Sequence, residues 1–401
     1  MPIPTPFHSR TSPLCESHEW RGWSGYLAAA MYEPTHEREY YAIRNSAALI
    51  DVSPLYKYEM RGPDAERLVN RIMTRDVTKC AVGQVMYSPW CDDDGKVIDD
   101  GTISRLAPDA FRVTAADPNL VWFQDCGYGM QVEVNDVSSD LAALALQGPN
   151  ARKILKENLT GIDLDALRYY RLGQGRLANQ AITVSRTGYT GDLGYELWVA
   201  PQDAGRLWDR LMETGMGYGI APAGMVALDI ARIEAGLLLI EVDYISARKA
   251  LIEAQKSSPF EIGLGWAVDL NKPEFVGRRA LLAEKQQDSS KWQWVGVEVI
   301  WESLEGLYAS VDLAPQLAGR ASRSPVPVYQ NGRQIGQVTS HTFSPLLKKY
   351  IGLGTIEKPT NPGGQVQANM VEMEFTVEYV RRQAKARIVK TPFFNPSRKR
   401  A

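Results

Sequence analysis

The sequence is poor in the residues that build metal and redox centres. Of 401 residues, four are cysteine (Cys15, Cys80, Cys91, Cys126) and four are histidine. The cysteines are scattered, none forms Cys-x-x-Cys, and so few histidines offer no zinc-ligand spacing. Four reduced thiols without a role are expected, and no metal. Also missing is an apolar run near the roughly 20 residues that cross a bilayer. The longest candidates, Leu141–Leu146 and Ala235–Ile240, are short. The opening MPIPTPFHSR lacks the apolar stretch of a secretory signal. A soluble, cytoplasmic protein is expected, with no membrane partner. An excess of one charge is absent too: 45 basic residues face 47 acidic ones, a net charge of -2. No whole-chain field therefore favours nucleic acid. No Gly-x-Ser-x-Gly occurs, which argues against a serine hydrolase. What remains is an ordinary globular balance, 44% hydrophobic and 23% charged, with a length that suggests two or three domains. Ten tryptophans are the one unusual count.

Periodicity divides the chain. Residues 1–17 are polar and proline-rich and read as a poorly ordered lead-in. A helix is expected in 34–48, capped by Thr35, then a strand over Ile50–Met60 and a helix over Ala65–Met73. Strands Gln84–Trp90 and Lys96–Arg105 flank the turn-rich tract Cys91–Gly95. Strand Ala110–Thr114, helix Leu120–Tyr128 and strand Gln131–Val134 follow. The pattern then returns in kind: strand Leu141–Gln147, helix Asn150–Glu157, strands Ala181–Arg186 and Tyr195–Val199, and helices Pro201–Glu213 and Met225–Gly236. Short links between these elements suggest α+β layers rather than a doubly wound sheet. From about Lys291 onward, six short strands suggest a small C-terminal β-barrel, with Asn331-Gly332 as a hairpin turn. The basic tail Ser397–Ala401 reads as solvated.

Three tracts can carry chemistry. In GKVIDDGTISRL (Gly95–Leu106), Asp99 and Asp100 are adjacent, so a strand points them to opposite faces. One can then face a cavity, although two acids before a glycine also read as a plain turn. In SRTGYTGDLGYELWV (Ser185–Val199), glycines let backbone approach a flat ligand, Tyr189 and Tyr195 can stack on it, and Glu196 opens an apolar strand. A generous hairpin loop is the plainer alternative. In DIARIEAGLLL (Asp229–Leu239), an arginine at a helix end, Arg232, suits a carboxylate-bearing ligand, or is an exposed helix charge. His341 and His36 show no catalytic partner at useful spacing. Trp20 and Trp23 are kept as possible pocket wall.

Taken in order, these stretches resemble the aminomethyltransferase family, the T-protein of the glycine cleavage system and its relatives. The resemblance runs from Trp20 to Phe394. It is carried by IDVSPLYKYEMRG, GKVIDDG, ALQGPNA, RTGYTGDLGYEL, ALDIARIEAGL, SPFEIGLGWAV, FVGRRAL, GQVTSHTFSPLL and ARIVKTPFF. It implies an α+β, three-domain cloverleaf ring with a C-terminal β-barrel, and tetrahydrofolate bound through its centre. The implied division is 1–50 with 145–285, then 51–144, then 286–401. The family's essential aspartate matches Asp100, whose implied role is electrostatic stabilisation of cationic charge. The pterin-binding glutamate matches Glu196, the adjacent tyrosine Tyr189, and an apolar wall position Leu55. An arginine near the glutamyl tail matches Arg232, and a second is Arg381 or Arg382.

The sequence also departs from the family. Gly101 follows Asp100 where the T-protein has an apolar residue, Ala116 stands at the pterin-touching asparagine, and Ile240-Glu241 replaces tyrosine-glycine. Pro54-Leu55 replaces histidine-methionine. The expected function is a one-carbon transfer to folate from a small methylated or aminomethylated donor. A lipoyl carrier protein or an oxidase is a possible partner. A non-enzymatic folate binder, or a folate subunit serving a separate flavin oxidase, are the alternatives. The cysteine motif of the non-enzymatic relatives is absent near Leu237–Tyr244.

Overall fold

The computed structural model describes residues 1–317, 319–358 and 369–401. The first layer system is a seven-stranded sheet. Its spatial order is Leu159–Thr160, Leu172–Leu177, Gln180–Ser185, Gly194–Val199, Ala142–Gln147, Ala47–Asp51 and Ile220–Pro222. Ala142–Gln147 is buried throughout because helices cover both faces. On one face Leu144, Leu146 and Leu49 pack with Ile154 and with Leu207 and Leu211 of the Ala204–Gly215 helix. On the other, Ala143, Ala145 and Ala48 meet Ile43 of the Glu37–Asn45 helix and Ile230 of Met225–Glu234. Alanines on this second face leave room for close helix approach. Met225–Glu234 also packs against the barrel strands Arg333–Ser344 and Lys349–Glu357. It is therefore buried on every side from Val226 to Glu234, polar residues included.

A five-stranded antiparallel sheet is inserted in the chain between the strands Ala47–Asp51 and Ala142–Gln147. Its order is Val85–Cys91, Val97–Ala107, Ala110–Ala115, Tyr56–Arg61 and Glu133–Asp136. Helices Ala65–Ile72 and Leu120–Cys126 contribute Leu68, Ile72 and Phe123 to its own core. The single strand expected over Ile50–Met60 is two strands in two different sheets. The chain breaks at Val52–Leu55, where the Asp51 carboxylate accepts from Ser53 N (3.0 Å) and Pro54 supplies no donor.

The C-terminal barrel closes with six strands in the order Trp292–Val299, Lys349–Glu357, Arg333–Ser344, Val326–Gln330, Met370–Val377, Val380–Val389. Asn331 and Gly332 both take positive φ, as a two-residue hairpin demands. One of the six strands expected in the barrel, Val371–Val380, runs across a second such turn at Glu378-Tyr379, which has no glycine or asparagine to announce it. The helix Trp301–Ala309, which buries Leu304 and Tyr308 in the barrel core, was not foreseen from the sequence.

Two expectations about the chain's ends are corrected. The lead-in is ordered: Ile3–Pro4 pairs with Tyr26–Ala29, Phe7 is fully buried, and Thr5 donates to Asp51 (2.6 Å). The tail is docked: Arg398 forks onto Asp192 at 2.6 and 2.7 Å. All four cysteines are free thiols, and among the described residues no helix is long and apolar enough to cross a membrane.

Candidate functional site

The two sheets, the strand Trp20–Trp23, the helix Met225–Glu234 with the segment after it, and Arg323 ahead of the barrel strand Val326–Gln330 enclose a cavity of about 300 Å³. Strand alternation sets its first wall. Val97–Ala107 turns Asp99 inward to the core of the five-stranded sheet and Asp100 into the cavity. Asp99 is fully buried. Its carboxylate accepts from Asp100 N (2.7 Å), Asp117 N (3.0 Å) and Asn119 Nδ2 (3.0 Å), which ties the strand to the Asp117–Asn119 loop. Burial, and then the neighbouring Asp100 charge, push its pKa well above the carboxylate range.

Asp100 is half-buried and makes no ion pair among the described residues. Its donors are two phenols: Tyr87 Oη reaches Oδ2 at 2.7 Å, and Tyr244 Oη reaches Oδ1. Burial pushes the Asp100 pKa up, while the two hydroxyls pull it down. Gly101 follows for a steric reason. A Cβ there would lie 1.9 Å from the Thr114 carbonyl oxygen of the adjoining strand.

The second wall comes from the seven-stranded sheet. Gly194–Val199 points Glu196 into the cavity, where it accepts from Thr187 Oγ1 (2.6 Å) and Ser185 Oγ (3.4 Å). Burial raises its pKa against those two donors. Gln147 lies beneath, wedged between Gly188 and Gly194, where a Cβ at either would fall within 2.2 Å of the amide. Its amide accepts from Thr190 (2.8 Å) and donates to Thr187 O (3.3 Å), fixing the glycine-rich loop. Tyr189, Leu55, Trp23 and Ala116 also line the cavity, and the Tyr189 hydroxyl donates to Leu238 O. Tyr195 does not take part. One step from Glu196, it faces the opposite core and is fully buried. Trp20 likewise packs with that core and against His8.

The arginines differ from expectation. Arg232 does not line the cavity. It is 1% exposed, with Asp229 (2.8 Å), Asp243 (2.6 Å) and Ser340 (2.7 Å) as partners. Burial works against its charge, but the two carboxylates more than compensate, and its pKa is raised. Arg381 sits exposed on the barrel hairpin near Glu374 (3.6 Å), and Arg382 donates to Ser310 (3.1 Å); neither lines the cavity. The cavity has two other arginines, Arg21 and Arg323. Arg323 pairs with Asp229 (2.7 Å). Arg21 has no ion pair among the described residues, and burial and then Arg323 lower its pKa. Sequence reading missed Arg21, Arg323, Tyr87, Tyr244 and Gln147. Tyr87 and Gln147 sit in unremarkable strands, Arg21 and Arg323 reach the cavity only through tertiary packing, and Tyr244 touches Asp100 from a core beside it.

A wider cleft of about 610 Å³ opens near Arg75 and Trp266. It contains neither of the two cavity acids, although Trp266 stacks on the Tyr87 ring at 6.0 Å between centroids.

Comparison with known proteins agrees with this architecture. Residues 12–272 match the GCVT N-terminal domain, and residues 311–395 match the glycine cleavage T-protein C-terminal barrel domain. An aminomethyltransferase of Halothermothrix orenii is 35% identical over 399 residues, covering 96% of this chain and 99% of the relative. One of Bacillus subtilis is 31% identical over 381 residues, covering 94% of each. The crystal structure of the glycine cleavage system aminomethyltransferase T from Bartonella henselae superimposes with a TM-score of 0.80 at 22% identity, covering 98% of this chain and 99% of that one. With both domain models matched along most of its length, the chain belongs to the glycine cleavage T-protein family of aminomethyltransferases.

Proposed function

We propose that the chain is a cytoplasmic, tetrahydrofolate-dependent transferase that moves a one-carbon unit to folate from a small methylated or aminomethylated donor. One observation carries this reading. Asp100 and Glu196 project from two separate sheets into one aromatic-walled cavity that also holds two arginines. The shape and donor set fit folate, whose flat ring carries N–H donors and whose tail carries carboxylates. Folate, when bound, supplies the nitrogen that accepts the one-carbon unit. Glu196 accepts hydrogen bonds from the ring edge, and Tyr189, Trp23 and Leu55 form the wall beside it. Asp100 provides fixed negative charge where cationic charge develops. Arg21 and Arg323 take the tail-holding role that the resemblance implied for Arg232 and Arg381. Arg232 and Arg381 do not line the cavity and face partners outside it, whereas Arg21 and Arg323 line it, Arg323 while paired with Asp229. A lipoyl carrier protein or an oxidase is the proposed partner on the donor side, and the aminomethyltransferase relatives support the class of reaction.

Calorimetric titration with tetrahydrofolate tests the reading directly. Binding is expected in the wild-type chain and is weakened in Arg21→Ala, more for a polyglutamylated folate than for the monoglutamate. Absence of binding to the wild type overturns the proposal. A panel of methylated amines, sulfonium compounds and aminomethyl-lipoyl carriers then identifies the donor.

A further inference from the structure

The two hydroxyls on Asp100 come from different parts of the chain. Tyr87 belongs to the strand Val85–Cys91 beside it. Tyr244 comes from the crossing segment that leaves the Met225–Glu234 helix. Its ring is 3% exposed, packed in a small core with Val97, Leu238 and Ile262, and its hydroxyl turns to Asp100. The residue before it is anchored. Asp243 accepts from Arg232 (2.6 Å), Thr339 (2.6 Å), Ser340 (2.6 Å) and Leu239 N (2.9 Å). Glu241 N also donates to Tyr244 O at 2.7 Å. The segment thus has few ways to move the Tyr244 hydroxyl off the carboxylate.

We propose that Tyr244, acting with Tyr87, is a positioning residue that fixes the plane of the Asp100 carboxylate in the cavity. This rests on the reading of Asp100 as the group that stabilises cationic charge. A carboxylate has about four acceptor positions. Two hydroxyls, one per oxygen, take two of them and leave the others to the ligand. Among the described residues no cation holds Asp100, so these hydroxyls are what offsets its desolvation. Five groups bear on its ionisation. Tyr87 and Tyr244 donate to the charged form and favour it. Asp243 behind Tyr244, and Asp99 one residue away, oppose it. Tyr189 faces it from the other sheet as a neutral phenol. Removing either donor hydroxyl makes Asp100 take up its proton at higher pH and frees its plane to rotate.

The test uses the full chain without ligand, labelled with carboxyl-13C aspartate, and follows the Asp100 resonance against pH. Loss of that resonance in Asp100→Asn assigns it. In Tyr244→Phe the midpoint is expected to rise by about one to two pH units, the scale of one hydrogen bond to a charged group. Tyr87→Phe should move it in the same direction. Replacing Tyr244 by a ring-fluorinated, more acidic tyrosine should move it the other way, which separates donation from packing. Turnover in Tyr244→Phe should fall about tenfold, with the loss growing as pH falls, and folate affinity should stay within a few-fold. An Asp100 midpoint that stays put in Tyr244→Phe and in the fluorinated protein overturns the proposal. Parallel calorimetry with tetrahydrofolate isolates the functional reading: no binding sinks that reading, while the carboxyl titration still decides the role of Tyr244.

Discussion

At position 100 the carboxylate meets two phenols and, among the described residues, no ion-pair partner, while its neighbour at 99 holds a loop in place. The separation follows from strand alternation, which the sequence already implied for two adjacent aspartates. Which aspartate faces the cavity depends on where the helices Ala65–Ile72 and Leu120–Cys126 lie, and that is tertiary information. Arg232 shows the same limit more sharply. A helix-end arginine reads as a carboxylate binder, and it does bind carboxylates, but those of Asp229 and Asp243. Asp243 comes from a segment with no periodicity to place it. Asp100→Asn should leave folate affinity within a few-fold and lower turnover by about 10²-fold, the scale of losing one electrostatic stabiliser. Calorimetry and steady-state rates on the same preparation check both halves, and near-full activity would refute the role given to Asp100.

The elements were legible where patterns were local. The strands of the barrel, the Asn331-Gly332 hairpin and the helix 225–234 all carry short-range signals. The Glu378-Tyr379 turn does not, because two ordinary residues are held at positive φ by strand pairing on either side. Within the barrel, His341 on strand Arg333–Ser344 is 8% exposed and its Nδ1 lies 2.6 Å from the Tyr350 hydroxyl. Burial lowers its pKa from the ordinary 6.5 to about 4. The unfolded chain therefore takes up this proton first as pH falls. The stability that the neutral imidazole contributes is present above about pH 6.5 and is lost progressively toward about pH 4. The loss amounts to roughly 3 kcal/mol by linkage. Denaturant unfolding from pH 7 to pH 4 should show a steeper decline for the wild type than for His341→Phe. Parallel declines would remove His341 from the acid response.

At the scale of the whole molecule, a buried network joins the helix Met225–Glu234, the crossing segment and the barrel. Arg323 reaches Asp229, Asp229 and Asp243 share Arg232, and Thr339 and Ser340 of the barrel donate to Asp243. Replacing Arg232 leaves Asp243 without a cation and Asp229 with Arg323 alone, and breaking a buried pair on one side typically costs about 3–5 kcal/mol. Arg232→Met should therefore unfold at distinctly lower denaturant, read as a shift in the unfolding midpoint. An unchanged midpoint would mean that the network contributes little. Of the ten tryptophans, Trp23 and Trp198 line the cavity, while Trp20 and Trp208 serve the first core.

The placement of Ala47–Asp51 governs how the molecule can be made. This strand is flanked by Ala142–Gln147 on one side and Ile220–Pro222 on the other. A ribosome has made all five strands of the antiparallel sheet by Asp136, but must reach Pro222 before Ala47–Asp51 has both neighbours. Long-range pairings of this kind form late. A nascent chain paused between residues 147 and 220 would carry a finished antiparallel unit beside a sheet edge still open to the wrong strand.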